Sequence, residues 1–94
     1  MNRLWRYRVA RELSQRQIAR LLGLTTSAPI SRWEHGVKIP TLENALLLSL
    51  ILKAPVEALF AERIAELETM LGHRAAKIAA SSGRRDSTYE PTKA

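Results

Sequence analysis

Apolar residues recur along this chain with the three- and four-residue spacing of amphipathic helices, and no segment shows the alternation of a β-strand. The first stretch predicts a helix over about residues 3 to 12. Ser14 and Gln17 then form an S-x-x-Q capping box at the start of a second helix. Gly23 suits the position after that helix ends. The inward face of the second helix is predicted to contain Ile18, Leu21 and Leu22.

The segment APISRWEHG predicts a third short helix that ends at Gly36. Pro29 would break a helix interior, but in a first turn its missing N–H group costs nothing. The N-cap of this helix is therefore Thr26 or Ser27. A fourth helix begins after Thr41 and is apolar nearly all round, so we expect it to form the buried centre of a helical bundle.

A fifth helix begins near Pro55 and is predicted to continue to about residue 80. Its apolar positions follow a 4-3-4 spacing, which is typical of a helix–helix seam. Gly72 weakens the middle of that helix. The last segment, SSGRRDSTYEPTKA, is polar and poor in aliphatic residues, so residues 82–94 are predicted to be a flexible tail. The seam consists of Phe60, Ile64, Leu67 and Leu71.

The charge of the chain is concentrated in its first half. The 94 residues carry a net charge of +6 at pH 7. Residues 1–40 contain eight arginine and lysine residues against two glutamates, so the whole excess lies there. This asymmetry favours one localised anion-binding face over a generally basic surface.

Composition excludes several other classes of protein. The chain has no cysteine, which rules out disulfide frameworks, thiol catalysis and cysteine-based zinc sites. No run of about 20 apolar residues could span a bilayer, and the N-terminus is too charged for a secretory signal, so we expect a cytoplasmic protein without membrane association. His35 and His73 form no ligand pattern, and no catalytic set is visible, so neither a metal, a cofactor nor an enzymatic activity is expected.

The run LSQRQIARLLGLTTSAPISRWEHGVKIPTLENALLL resembles the Xre-type, lambda-repressor-like helix-turn-helix domains of transcription regulators. The resemblance covers residues 3 to 60 and includes several ordered motifs, among them LSQRQIARLLG, ISRWEHG and PVEALF. It implies an all-α, compact five-helix DNA-binding domain over residues 1–60, followed by a helical extension over 61–81. The turn before the third helix is one residue longer than the commonest family pattern, and Pro29 replaces a polar residue there.

In this family the third helix lies in the major groove of double-stranded DNA, while flanking elements contact phosphates. The resemblance therefore implies that Arg32 is the best candidate for reading a base, because a guanidinium can donate two hydrogen bonds to guanine. Thr26 is included because the longer turn shifts the assignments by one position. The implied DNA-binding residues are Ser27, Ala28, Ser31 and Arg32, which face the bases, then Gln15, His35 and Lys38, which contact phosphates, and Thr26.

Two further features of the family bear on structure. Arg8 and Glu34 match a buried ion pair that ties the first helix to the end of the third, so Arg8 is assigned to structure in spite of its charge. Ala19 and Gly23 are expected to be small because the second and third helices cross there with their backbones close.

The predicted role of the C-terminal helix is dimerisation, which would place two recognition helices about 34 Å apart on a pseudo-palindromic operator. A helix that folds back on its own domain is the other interpretation of the seam. The function that follows is a dimeric repressor. The alternative is an antitoxin-like DNA-binding protein whose C-terminal helix and tail bind a partner protein.

Overall fold

The computed structural model describes residues 1–82, which form six helices and contain no strand. The predicted all-α fold is therefore confirmed. The helix-turn-helix consists of the second and third helices and the turn between them. The helices are α1 (Arg3–Ala10), α2 (Gln15–Leu21), α3 (Ala28–Glu34), α4 (Leu42–Leu52), α5 (Val56–Leu59) and α6 (Ala61–Ser82).

The helix starts follow the sequence closely. The Ser14 hydroxyl accepts a hydrogen bond from the Gln17 amide at 3.0 Å, and the Gln17 side chain accepts one from the Ser14 amide at 2.7 Å. The predicted capping box is thus confirmed. Ser27 is the N-cap of α3 and Pro29 lies in its first turn, where no hydrogen bond is lost. The Thr41 hydroxyl caps α4.

The first four helices are each followed, within two residues, by a residue of positive φ, which after α4 is Lys53 with a φ of 54°. Gly23 and Gly36 take this position after α2 and α3, with φ values of 77° and 75°. After α1 the position is occupied by Glu12, with a φ of 57°. Its amide donates to the Val9 carbonyl at 2.8 Å, which closes the turn. The first helix therefore ends at Ala10, before the predicted residue 12.

Gly23 has a different role from the one expected. A Cβ atom added there would meet nothing within 4 Å, so the expectation that Gly23 allows a close approach of two helices is wrong. The position favours glycine because of its positive φ, which other residues, such as Glu12 after α1, adopt at a cost. Ala19, by contrast, is buried in the core with 3% of its surface exposed.

Two glycine-to-alanine substitutions should therefore have opposite effects. Gly23→Ala is expected to lower the free energy of unfolding by about 1–2 kcal/mol through backbone strain alone. Gly72→Ala, which also meets open space but lies within α6, should increase helix content and cost no stability. Urea unfolding measures the free energy of unfolding of each variant, and far-ultraviolet circular dichroism measures its helix content. Equal stability of Gly23→Ala and the parent would contradict the assigned role of the φ value.

The core is aliphatic and lies between the first five helices. Its fully buried members include Leu4, Ile18, Ile30, Leu48, Leu52 and Leu59. The expectation that α4 forms the buried centre of the bundle is wrong for much of the helix, because only its face with Leu48 and Leu52 is buried. The opposite face is exposed: Leu42, Leu46 and Leu50 are 73%, 50% and 72% accessible. Leu21 of α2, predicted to point inward, is also 58% exposed.

The predicted continuous fifth helix is interrupted. Phe60, with φ −116° and ψ 37°, separates α5 from α6. Its side chain packs against the core, and its carbonyl accepts the Ile64 amide at 2.9 Å to begin the next helix. The hydrophobic spacing is the same on both sides of Phe60, so periodicity did not reveal the break.

The chain divides into two compact units, Met1–Ile64 and Ala65–Ala94. The first unit contains α1 to α5 and the first turn of α6. In the second unit the described residues belong to α6, and their side chains through residue 81 are exposed. Ser82 is the last described residue, and the rest of the predicted tail, 83–94, lies outside the described residues.

Candidate nucleic-acid interface

The end of α3 is anchored by a buried carboxylate. Glu34 is fully buried, and it accepts hydrogen bonds from Arg8 Nε at 2.5 Å and from Arg8 Nη2 at 3.1 Å. Gln15 Nε2, at the start of α2, donates to the same carboxylate at 2.9 Å. The structure thus brings Arg8 and Glu34 together as an ion pair, and the carboxylate joins α1, α2 and α3. The remaining Arg8 nitrogen, Nη1, donates to the Leu13 carbonyl at 2.8 Å.

Asn2 provides a second link between α1 and α3. Its side-chain oxygen accepts the Trp5 amide at 3.2 Å and so caps α1. Its side-chain nitrogen donates to the Trp33 carbonyl at 2.8 Å, and its backbone amide donates to the Glu34 carbonyl at 3.3 Å. These bonds reach the last two carbonyl groups of α3, of which that of Trp33 also accepts the Gly36 amide at 3.1 Å. Sequence reasoning missed this role, although an Asn directly before a helix is a typical N-cap signal.

The two sides of α3 have different environments. Ile30, Trp33 and Glu34 are buried and hold the helix against the domain. The Arg32 side chain lies on the solvent side and has no hydrogen-bond or ion-pair partner among the described residues. Ala28 is exposed beside it, and Ser31 is half-buried. The predicted base-facing residues are therefore on the accessible side of a helix whose other side is fixed.

His35 is held by its own helix. Its Nδ1 atom lies 2.8 Å from the Ser31 carbonyl oxygen and 3.5 Å from the Ser31 hydroxyl. A carbonyl oxygen only accepts hydrogen bonds, so Nδ1 carries the proton in this arrangement. The other ring nitrogen, Nε2, is then left to contact a further group at the exposed end of α3.

Lys38 lies in the turn that follows α3. Its side chain is exposed, and its amide lies 3.4 Å from the Arg32 carbonyl, which also accepts the Val37 amide at 3.0 Å. These bonds hold the turn against the last turn of α3. Lys38 and His35 consequently occupy the same end of that helix, whereas Ala28 and Ser27 occupy the other.

Gln15 is less free than the sequence suggested. One N–H group of its side-chain amide is used by Glu34, so one remains for another acceptor. In the turn before α3, the Thr26 hydroxyl accepts the Ala28 amide at 3.4 Å. The Ser27 hydroxyl makes no capping hydrogen bond, although Ser27 is the N-cap residue.

The structure distinguishes arginine residues that the sequence could not. Arg11 is structural, because its Nε donates to the Leu52 carbonyl at 3.0 Å, at the end of α4. The side chains of Arg16 and Arg20, by contrast, are exposed on α2 and have no hydrogen-bond or ion-pair partner within residues 1–82. They border a cleft of about 360 Å³ that reaches the turn before α3. Their spacing of four residues on one helix was the available signal.

The predicted dimerisation seam is divided by the structure. Phe60 and Ile64 are half-buried in the first unit, where Phe60 packs against the core. Leu67 and Leu71 belong to the second unit and are 39% and 64% exposed. Ile78 on the same helix is 67% exposed.

The described residues contain neither a metal-ligand cluster nor a membrane-spanning helix. Within 1–82, no three histidine, aspartate or glutamate side chains are grouped so that they could hold a metal ion. None of the described helices is both long enough and apolar enough to cross a membrane.

Comparison with known proteins gives one match. A family model described as helix-turn-helix matches residues 6–59, which is more than half of the chain and extends from α1 to the end of α5. No curated protein and no solved structure matches the chain.

Proposed function

Because the chain belongs to the Xre-type, lambda-repressor-like helix-turn-helix family, we propose that this DNA-binding transcriptional regulator is a dimeric repressor that reads the major groove with α3. The observation that carries the proposal is the division of α3 into two sides. One side is fixed by Trp33 and by the buried Glu34, while the other presents the Arg32 guanidinium, which has no partner in the described part of the chain.

Base recognition is assigned to the exposed side of α3. Arg32 can donate two parallel hydrogen bonds to O6 and N7 of a guanine, which is worth about 1–3 kcal/mol of discrimination against other bases. The Ala28 methyl group can contact a thymine methyl, and the Ser31 hydroxyl can reach either a base or a phosphate. Because the helix is fixed by its buried side, these groups meet the groove with little loss of conformational entropy.

Phosphate contacts are assigned to the groups around α3. Lys38 and His35 lie at its C-terminal end, and Gln15 retains one N–H group at the start of α2. Thr26 and Ser27 lie just before the first turn, at the edge of the same surface. Such contacts fix the register of a protein on the duplex and provide much of its affinity, but they carry no sequence information.

Repression and dimerisation are supported by two features. A domain that occupies the groove excludes other proteins from that stretch of a promoter, so binding alone is sufficient to repress. The exposed apolar residues of α6, Leu67, Leu71 and Ile78, provide a surface for a second copy. A dimer would bind two half-sites one helical turn apart.

The test is selection of bound duplexes from random DNA with the full chain, followed by a comparison of two variants. Arg32→Ala should lower affinity for the selected site by about 10- to 100-fold and relax the preference at one base pair. Lys38→Ala should weaken every sequence by a similar factor and reduce the salt dependence. A reporter whose promoter overlaps the selected site should be repressed by the parent and released by Arg32→Ala.

Two results would contradict this proposal. If both variants lose affinity equally on all DNA sequences, the assignment of Arg32 to a base is wrong. Higher reporter output in the presence of the parent would exclude repression at that site.

A second candidate is an antitoxin-like regulator whose C-terminal helix binds a partner protein, and it is favoured by the same exposed side chains of α6. It requires a stoichiometric complex with the product of a neighbouring gene. That complex should still form with Arg32→Ala and should not form with Leu67→Glu. If Arg32→Ala weakens DNA binding and the chain has no protein partner, the result supports the repressor.

A further inference from the structure

The first turn of α2 contains a charge that does not serve the stability of the helix. Arg16 is the second residue of α2, where the helix dipole favours an acidic side chain, and that turn contains no acidic residue. Arg20 follows at i+4, so two like charges lie on one face, which is also unfavourable. Arg16 and Arg20 are exposed, and neither has an ion-pair partner in the described part of the chain. These charges oppose the preferences of the helix and form no ion pair that would compensate, and such exceptions are typical of functional positions.

The same two arginine residues border the cleft of about 360 Å³ between α2 and the turn before α3. The opposite side of this cleft is formed by Thr25, Thr26 and Ser27. Of these hydroxyls, that of Thr26 accepts the Ala28 amide and can still donate, and that of Ser27 makes no capping bond. The remaining lining residues are apolar, so the cleft contains donors and positive charge but no carboxylate.

The position of the cleft, beside the first turn of α3, indicates which ligand it can bind. Ser27 is the N-cap of α3, so the cleft lies directly beside the turn of α3 that is assigned to the groove. The phosphates of one strand form the edge of the major groove. Arginine and serine or threonine side chains are among the common donors to DNA phosphates.

We propose that Arg16 and Arg20, with the hydroxyls of Thr25, Thr26 and Ser27, bind a backbone phosphate of the duplex next to the bases read by α3. This inference rests on the proposed function. It assigns two arginine residues to DNA that the sequence left unassigned. It places Thr26 and Ser27, already assigned to phosphate contacts, in one site with these arginine residues, and Ala28, Ser31 and Arg32 remain assigned to the bases.

The test measures the salt dependence of binding to a selected duplex. The logarithm of the binding constant falls with the logarithm of the salt concentration by about 0.9 for each phosphate contacted. The double variant Arg16→Ala/Arg20→Ala should reduce that slope by about 0.9, which corresponds to about a fivefold loss of affinity at 0.15 M salt. The order of preference among operator variants should not change, because no base contact is removed.

The control is Arg6→Ala, an exposed arginine of α1 outside the helix-turn-helix. It should keep the slope and the affinity of the parent. If the double variant also keeps the slope and the affinity of the parent while Lys38→Ala reduces them, the cleft does not bind phosphate. The proposed function still stands in that case. If the parent selects no duplex sequence at all, the result contradicts the proposed function itself and not only the assignment of the cleft.

Arg16→Glu separates a DNA contact from a structural role. The acidic side chain suits the first turn of α2, so the melting temperature of the free protein should rise by about 2–6 °C. Binding to the selected duplex should nevertheless become weaker than that of the corresponding alanine variant. A fall in melting temperature would show that Arg16 stabilises the fold, and this would overturn its assignment to phosphate.

Discussion

Arg8→Ala is expected to lower the free energy of unfolding by about 3–5 kcal/mol, the largest effect on stability that we predict for a single substitution. Glu34 is fully buried, and two of its three side-chain hydrogen bonds come from Arg8. Removal of the guanidinium leaves a charged group away from water with only Gln15 as a side-chain donor. The Leu13 carbonyl loses its bond to Arg8 as well.

The size of this loss in the free energy of unfolding decides whether the domain stays folded. Single domains of this size are stable by about 5–15 kcal/mol, so the Arg8→Ala variant will be close to its limit. Urea unfolding of the variant and the parent measures the difference. Arg6→Ala is the matched control on the same helix, and it should change stability by less than about 0.5 kcal/mol because Arg6 is exposed.

A second variant distinguishes a lost ion pair from a buried charge without a partner. Replacement of both residues by apolar ones of similar size, as in Arg8→Met/Glu34→Leu, should recover much of the stability that Arg8→Ala loses. The double variant should still bind DNA less well, because the hydrogen bond from Gln15 that joins α2 to the end of α3 is gone. A loss of less than about 1 kcal/mol for Arg8→Ala would show that the pair is not important for the fold.

The sequence predicted those parts of the fold that depend on local interactions. The capping box at Ser14, the position of Pro29 and the ends of two helices at Gly23 and Gly36 each depend on a few neighbouring residues. Local side-chain chemistry is sufficient to specify such features. The buried partner of Arg8 was implied by the family resemblance and not by its position in the first helix alone.

Features that depend on packing could not be predicted in this way. The break at Phe60 does not change the spacing of apolar residues, so only the core contact of its side chain reveals it. The number of apolar residues in α4 does not show which side meets other helices, and Leu42 and Leu50 are in fact exposed.

The candidate site was predicted only in part for a similar reason. Arg11 and Arg16 look alike in the sequence, yet one bonds to the end of α4 and the other borders a cleft. Net charge places a basic excess in the first 40 residues, but only hydrogen bonds and exposure show which side chains remain for a ligand.

Leu67→Glu should convert the proposed dimer to a monomer and lower affinity for a two-half-site operator by about 10²- to 10⁴-fold. Leu67 lies in the exposed part of α6 and is spaced at i+4 from Leu71, which is typical of a helix–helix seam. A charge placed there would be buried against the second copy. The affinity for a single half-site should change little, because the groups assigned to DNA all precede residue 39.

Sedimentation at micromolar concentration and titration of one- and two-half-site duplexes measure these effects. The matched control is Leu50→Glu, the same substitution at an exposed leucine of α4. We expect this control to remain dimeric, since Leu50 is not on the proposed seam. A dimer that persists in Leu67→Glu but dissociates in Leu50→Glu would move the interface to the exposed face of α4. A parent chain that is already monomeric, with equal affinity for both duplexes, would exclude a dimeric repressor.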